Sequence, residues 1–293
     1  MPDILNVTGL SKKLGGFELS NMDLRVEPGC VTGFIGSNGA GKTTTIKMIL
    51  GLLSPDAGSI RLFGQAVDPN KYDPEIKQKI GVVFDSFPFP PDVRVSAVQA
   101  IGRQTMSAWS DRRFADLLSQ FEIPLQKRIR ELSRGMGMKL QMAFALAHDP
   151  QLLILDEATA GLDPLAREEA LGILRDFIAD GERGILMSTH ITSDLEKVAD
   201  WIVCIDHGRL VFSKAAEDIC DIAGVVHCRT SEAEQLIESK LFEPGSLRIV
   251  RRGFSTDVLV PDRAVLRSAF PEIACDRTSI EDYMLFALEG EQR

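Results

Sequence analysis

Eight residues, Gly36-Ser37-Asn38-Gly39-Ala40-Gly41-Lys42-Thr43, have the types and spacing that chemistry most plainly demands. Glycines so spaced let the backbone curl until successive N–H groups point at phosphate oxygens. The helix that follows adds its positive dipole end. Lys42 then reaches the β- and γ-phosphates of a nucleotide, the Thr43 hydroxyl ligates Mg²⁺, and Thr44 continues the cradle. A second group, Leu152-Leu153-Ile154-Leu155-Asp156-Glu157, is an apolar run ending in two acids. At the carboxyl end of a parallel strand, Asp156 sits beside the phosphate loop and holds Mg²⁺ through water. Glu157 is then placed to polarise an attacking water as general base. Together the two groups describe a P-loop nucleotidase.

These groups need a sheet to hold them. Val31 to Ile35, Ile80 to Phe84, Leu152 to Leu155 and Gly184 to Ser188 are apolar runs without alternation, as expected of parallel strands covered on both faces. Helical patterns separate them: Thr43 to Leu53, and a helix capped by Asp163-Pro164 with Leu171, Leu174, Phe177 and Ile178 on one face. Residues 1–30 alternate instead, with turns at Gly15-Gly16 and Pro28-Gly29, and predict short antiparallel strands. Residues 86–150 form a mostly helical insertion opened by Phe87-Pro88-Phe89-Pro90-Pro91, and Trp201 to Phe212 a closing strand pair around Gly208. Beyond a boundary near residue 216, the pattern predicts a helix over 231–241 with Ser231 and Glu234 in capping-box spacing, a hairpin over 247–260 and a terminal helix over 279–288.

Further motifs narrow the class. Leu132-Ser133-Arg134-Gly135-Met136 lies between loop and acids, Ser133 being the N-cap of the next helix; Gly161-Leu162-Asp163 and Ser188-Thr189-His190 follow. In this order over residues 1–215 the motifs resemble the ABC ATPase family. The resemblance implies an α/β fold: a mixed-sheet core, an N-terminal antiparallel β subdomain and the helical insertion over residues 1–215, with a small α+β accessory domain over 216–293. It implies ATP with Mg²⁺, bound by head-to-tail dimers, here a homodimer. Ser133 and the Gly135 backbone would serve the partner subunit's ATP, Asp163 would couple the two sites, and His190 would contact the γ-phosphate and complete a catalytic set with Glu157 and Lys42. Phe17 stands in for the adenine-stacking aromatic, the family's usual position being Leu14 here.

Two departures from the family pattern matter. Asp85 occupies the position of the usual glutamine, where it is a candidate Mg²⁺ ligand, and Leu-Ser-Gly-Gly-Gln has become Leu-Ser-Arg-Gly-Met. Thr32 to Gly36, Lys42 to Lys47, Arg134 to Leu140 and Ser279 to Met284 resemble the ATPase subunits of bacterial ABC-2-type exporters, among the antibiotic- and lantibiotic-resistance transporters. That branch implies a separate integral-membrane permease as partner, docked near Phe87 and Phe89, and a protein peripheral on the cytoplasmic face of the cell membrane.

Composition agrees with this class. The chain has 293 residues, 44% hydrophobic and 26% charged, so it is neither disordered nor fibrous. No run approaches the ~20 apolar residues of a membrane helix, and Met1-Pro2-Asp3 opens no signal peptide. A net charge of −9 without a basic stripe disfavours nucleic acid, and with it a soluble ABC ATPase acting on ribosomes or nucleic acid. A poorly hydrolysing regulatory subunit, suggested by Asp85 and Arg134, is disfavoured by Glu157 and His190. Cys30, Cys204, Cys220, Cys228 and Cys275, scattered and odd in number, are expected as buried free thiols.

Overall fold

The protein is described here by a computed structural model that covers residues 2–68, 71–253 and 255–293. Met1, and Phe254 of the expected 247–260 hairpin, lie outside them. The chain folds as two compact units: Met1–Ile191 with Ile205–Leu210, and Thr192–Cys204 with Val211–Arg293. The division therefore differs from a single boundary at residue 216.

The first unit opens with β1 (Leu5–Leu14) and β2 (Phe17–Val26), antiparallel and in register Leu5↔Val26. They are longer than the expected short strands. Alternation along β2 buries Leu19, Met22, Leu24 and Val26 and exposes their neighbours. β3 (Val31–Ile35) is buried throughout and leads into α1 (Lys42–Ile49). This helix ends four residues before the expected Leu53. Gly51 turns left-handed at φ 68°, the Leu52 N–H returns to the Lys47 carbonyl at 2.8 Å, and the Tyr72 hydroxyl donates to the Ile49 carbonyl at 2.8 Å. β4 (Ala57–Leu62) and β5 (Gln65–Ala66) follow as a hairpin that sequence reading missed; β4 pairs with β1 through Leu5↔Leu62.

After α2 (Pro74–Gln78) come β6 (Ile80–Val83), the insertion helices α3 (Val95–Thr105), α4 (Asp111–Gln120) and α5 (Arg134–Leu146), then β7 (Leu152–Asp156), α6 (Pro164–Ile178) and β8 (Gly184–Ser188). The strands β3, β8, β7 and β6 lie side by side and parallel, in registers Val31↔Ile185, Leu152↔Gly184 and Ile80↔Leu152. β3, β7 and β8 are buried at every residue. Their carboxyl ends share one edge: Phe34 and Asp156 both align with Ser188. Ligands of parallel sheets bind at such an edge.

The second unit starts with α7 (Thr192–Val198) and contains parts of β9 (Trp201–Asp206) and β10 (Arg209–Ala215). β11 (Gly224–Arg229), α8 (Thr230–Glu238), β12 (Arg248–Arg252), β13 (Ser255–Val260), α9 (Arg263–Ala269), β14 (Asp276–Arg277), α10 (Ile280–Glu289) and β15 (Glu291–Gln292) complete it. Its antiparallel sheet runs β14-β11-β13-β12-β15 over a core of Val226, Leu236, Ile249, Val258 and Leu266. Residues 192–204 join this unit because α7 packs on α10, where the Ile280 N–H donates to Glu196 at 2.9 Å. The α8 cap is also shifted from expectation: Glu232, not Glu234, accepts the Arg229 N–H at 2.8 Å, and Ser231 lies inside the helix. Cys204 and Cys275 are buried and outside any disulfide, as expected, whereas Cys30, Cys220 and Cys228 are only partly covered.

Candidate active site

The loop after β3 is shaped by what its glycines permit. A Cβ on Gly36 would run into the Ile205 carbonyl, and one on Gly41, at φ 119°, would lie 3.0 Å from both Phe17 Cζ and Leu19 Cδ1. Only glycine brings this backbone so close to its neighbours. Gly41 is the N-cap of α1, and neither a capping side chain nor a first-turn acid occupies the helix start. The first-turn N–H groups are thus left for an anion. Lys42, 6% exposed, is fixed by its own loop: Nζ donates to the Gly36 carbonyl at 2.7 Å and the Ser37 carbonyl at 3.3 Å. A cavity of about 420 Å³ opens here, lined by Phe17, Leu14, Asn38, Lys42, Thr43 and Glu157 among others.

Opposite stand the acids. Asp156 ends β7 and is 5% exposed; its Oδ2 accepts the Thr43 hydroxyl at 3.0 Å, while Oδ1 is buried with no hydrogen-bond partner. Burial pushes its carboxyl up, against the downward pull of the Thr43 bond. A buried carboxylate oxygen without a partner, beside a threonine hydroxyl, offers one or two of the oxygen ligands that a largely hydrated, phosphate-bound Mg²⁺ takes from a protein, so Mg²⁺ fits these residues. Glu157 adopts φ 55°, and its N–H donates to the Ser188 carbonyl at 2.9 Å. That left-handed turn aims its carboxylate back over the sheet edge. Oε1 lies 3.7 Å from Lys42 Nζ, and Oε2 meets His190 Nδ1 at 2.6 Å and the His190 N–H at 3.3 Å. With Glu157 ionised, the ring proton belongs on Nδ1.

The structure thus gathers Lys42, Thr43, Asp156, Glu157 and His190, with Phe17 on the same cavity wall. Ser133 and Gly135 stand elsewhere in the unit. Ser133 caps α5 by accepting the Met136 N–H at 3.2 Å, and Asp163 caps α6 by accepting that of Ala166 at 3.0 Å. Asp85 does not line that cavity. Its Oδ1 accepts Arg134 Nη2 at 2.7 Å, and it lines a separate groove of about 350 Å³ with Phe87, Phe89, Ser133 and Met138. Among the described residues no group of three or more His, Cys, Asp or Glu is arranged to hold a metal ion. Sequence reading missed the Asp85–Arg134 contact, and also Gln141, which accepts the Phe84 N–H and donates to the Phe84 carbonyl, both at 3.1 Å.

A parallel sheet whose carboxyl edge carries a glycine cradle, a buried lysine, a hydroxyl–carboxylate pair and a positioned glutamate defines a nucleotide triphosphatase. Comparison with known proteins narrows this. The family model for ABC transporters matches residues 19–160. The Nod factor export ATP-binding protein I of Cupriavidus pinatubonensis (strain JMP 134 / LMG 1197) is 36% identical over 224 residues, 74% of this chain and 68% of that protein. The bacitracin transport ATP-binding protein BcrA of Bacillus licheniformis is 33% identical over 214 residues, 72% of this chain and 69% of that one. A solved ATP-binding subunit of an ABC transporter superposes with a TM-score of 0.67 at 29% identity, covering 74% of this chain and 91% of that structure. The chain belongs to the ABC transporter family, as an ATP-binding subunit. Its activity is ATP hydrolysis in the service of transport.

Proposed function

We propose that this subunit powers export through a separate integral-membrane permease, as a head-to-tail homodimer closing on two Mg²⁺–ATP. The observation that carries this is the divided site. The cradle and Glu157, which His190 contacts, line one cavity, whereas Ser133, which with the Gly135 backbone the family uses on the γ-phosphate, lines the other groove. A second copy facing the first supplies what each lacks. The relatives named for export of Nod factor and transport of bacitracin support the direction and the partner. No helix among the described residues is long and apolar enough to cross a membrane. In this reading a partner chain carries the substrate, and the subunit works peripherally on the cytoplasmic face. The second unit is an accessory α+β domain.

In this reading Lys42 exchanges its loop carbonyls for β- and γ-phosphate oxygens, and the N–H groups of residues 38–43 hold the rest of the triphosphate. Thr43 and Asp156 would hold Mg²⁺, which would offset phosphate charge. Glu157 accepts a proton from water as its oxygen bonds to the γ-phosphorus and the bond to ADP breaks. His190 keeps the Glu157 carboxylate aimed at that water. Glu157→Gln is expected to retain ATP binding and lose ~10²–10⁴-fold in turnover. ATP should then double the mass of the variant in light scattering. Turnover near the wild-type rate would remove Glu157 as the base.

A further inference from the structure

Two departures from the family pattern, an aspartate for glutamine at position 85 and an arginine for glycine at position 134, touch each other. Arg134 Nη2 donates to Asp85 Oδ1 at 2.7 Å across 49 residues of sequence. The arginine side chain also lies along the turn that leads into α6: a Cβ on Gly161, at φ 83°, would come within 2.9 Å of Arg134 Cδ and Nε. Beside it, a Cβ on Gly135 would meet Leu162 Cδ2 at 3.4 Å. One side chain therefore ties the start of α5 to the segment after β6 and to the Gly161–Leu162 turn. The start of α5 is where Ser133 and Gly135 present themselves, and the turn ends at Asp163.

The two side chains are more than half exposed, at 58% and 55%, so as a salt bridge the pair adds little to stability. Its meaning is electrostatic and positional. Asp85 alone would add a negative charge beside a site that must accept triphosphate, and Arg134 alone would leave an unpaired cation on the surface that meets it. Together they are neutral, as a glutamine with a glycine would be, and they add a tether that those residues lack.

We propose that Asp85 and Arg134 are one compensating positioning pair, which presets Ser133 and Gly135 for the partner's ATP. Neither residue binds metal or nucleotide. The proposal rests on the reading that Ser133 and Gly135 serve a partner's ATP, and its test keeps the two apart. Steady-state ATPase is measured on the full chain for wild type, Asp85→Gln, Arg134→Gly and the double variant. Asp85→Asn with Arg134→Gln is a second set that keeps a helix-favouring residue at the start of α5. Each single variant should lose on the order of fivefold in kcat, with nucleotide affinity unchanged in a binding titration. The double variants should recover to within about twofold of wild type. Losses that multiply in both doubles, or singles that bind nucleotide more weakly in proportion to their lost turnover, overturn the pair. Ser133→Ala is the separate control: unchanged turnover there removes the partner-site reading, whatever the Asp85–Arg134 cycle gives.

Discussion

At the scale of single residues, Lys42 and Asp156 make opposite demands on the protein without nucleotide. The Lys42 ammonium is satisfied by the Gly36 and Ser37 carbonyls, so Lys42→Ala removes a phosphate ligand more than a structural support. Charged hydrogen bonds of this kind imply nucleotide affinity weaker by on the order of 10–100-fold, read by titration calorimetry. Asp156 has the reverse character: one of its oxygens is buried and unpartnered, and burial raises its carboxyl. A raised carboxyl favours the protonated form in the folded state. Its contribution is therefore present at low pH and lost as pH rises through the folded-state value. At neutral pH, Asp156→Asn should raise the nucleotide-free melting temperature by roughly 2–4 °C while abolishing dependence of nucleotide binding on Mg²⁺. That gain should shrink on acidification toward the ordinary carboxylate range. A variant that melts below wild type at pH 7 would mean the unpartnered oxygen costs nothing.

At the scale of elements, side-chain packing can reverse an intrinsic preference. Gly102 sits inside α3, where alanine is the better helix former by about 1 kcal/mol. The Trp109 ring lies flush against it, in contact with the rings of Phe114 and Phe144 at centroid distances of 5.0 and 5.1 Å. Gly102→Ala should consequently destabilise by roughly 1–3 kcal/mol, seen as a lower melting temperature with altered tryptophan emission. No periodicity announces such a contact. What was legible in the sequence were elements under a strict local demand: the Gly36–Thr43 cradle, whose spacing is dictated by phosphate, and the unbroken apolar runs of β3, β7 and β8. The β4–β5 hairpin was not, because only Ile60 and Leu62 of β4 face inward. Nor was the placement of α7, whose Glu196 finds its partner 84 residues later, or of Asp85 with Arg134. Contacts across such separations leave no local trace in a single chain.

At the scale of the whole molecule, nucleotide stabilises only what it touches. At 100 times its dissociation constant ATP adds about 2.7 kcal/mol to the state that binds it. Hydrogen exchange should accordingly slow in residues 36–46 and 152–157 of the first unit, with protection of Gly224–Arg229 and Ser255–Val260 unchanged. Equal slowing of those two strands would make the chain one cooperative unit. Glu157, finally, sets fitness against robustness. A non-glycine residue at φ 55° pays a conformational cost of roughly 1 kcal/mol or more, which glycine or asparagine would relieve. A library of this chain selected only for heat resistance should therefore enrich Gly and Asn at position 157. Its survivors would be the sturdiest proteins in the pool, and all of them would have given up the base that turns over ATP.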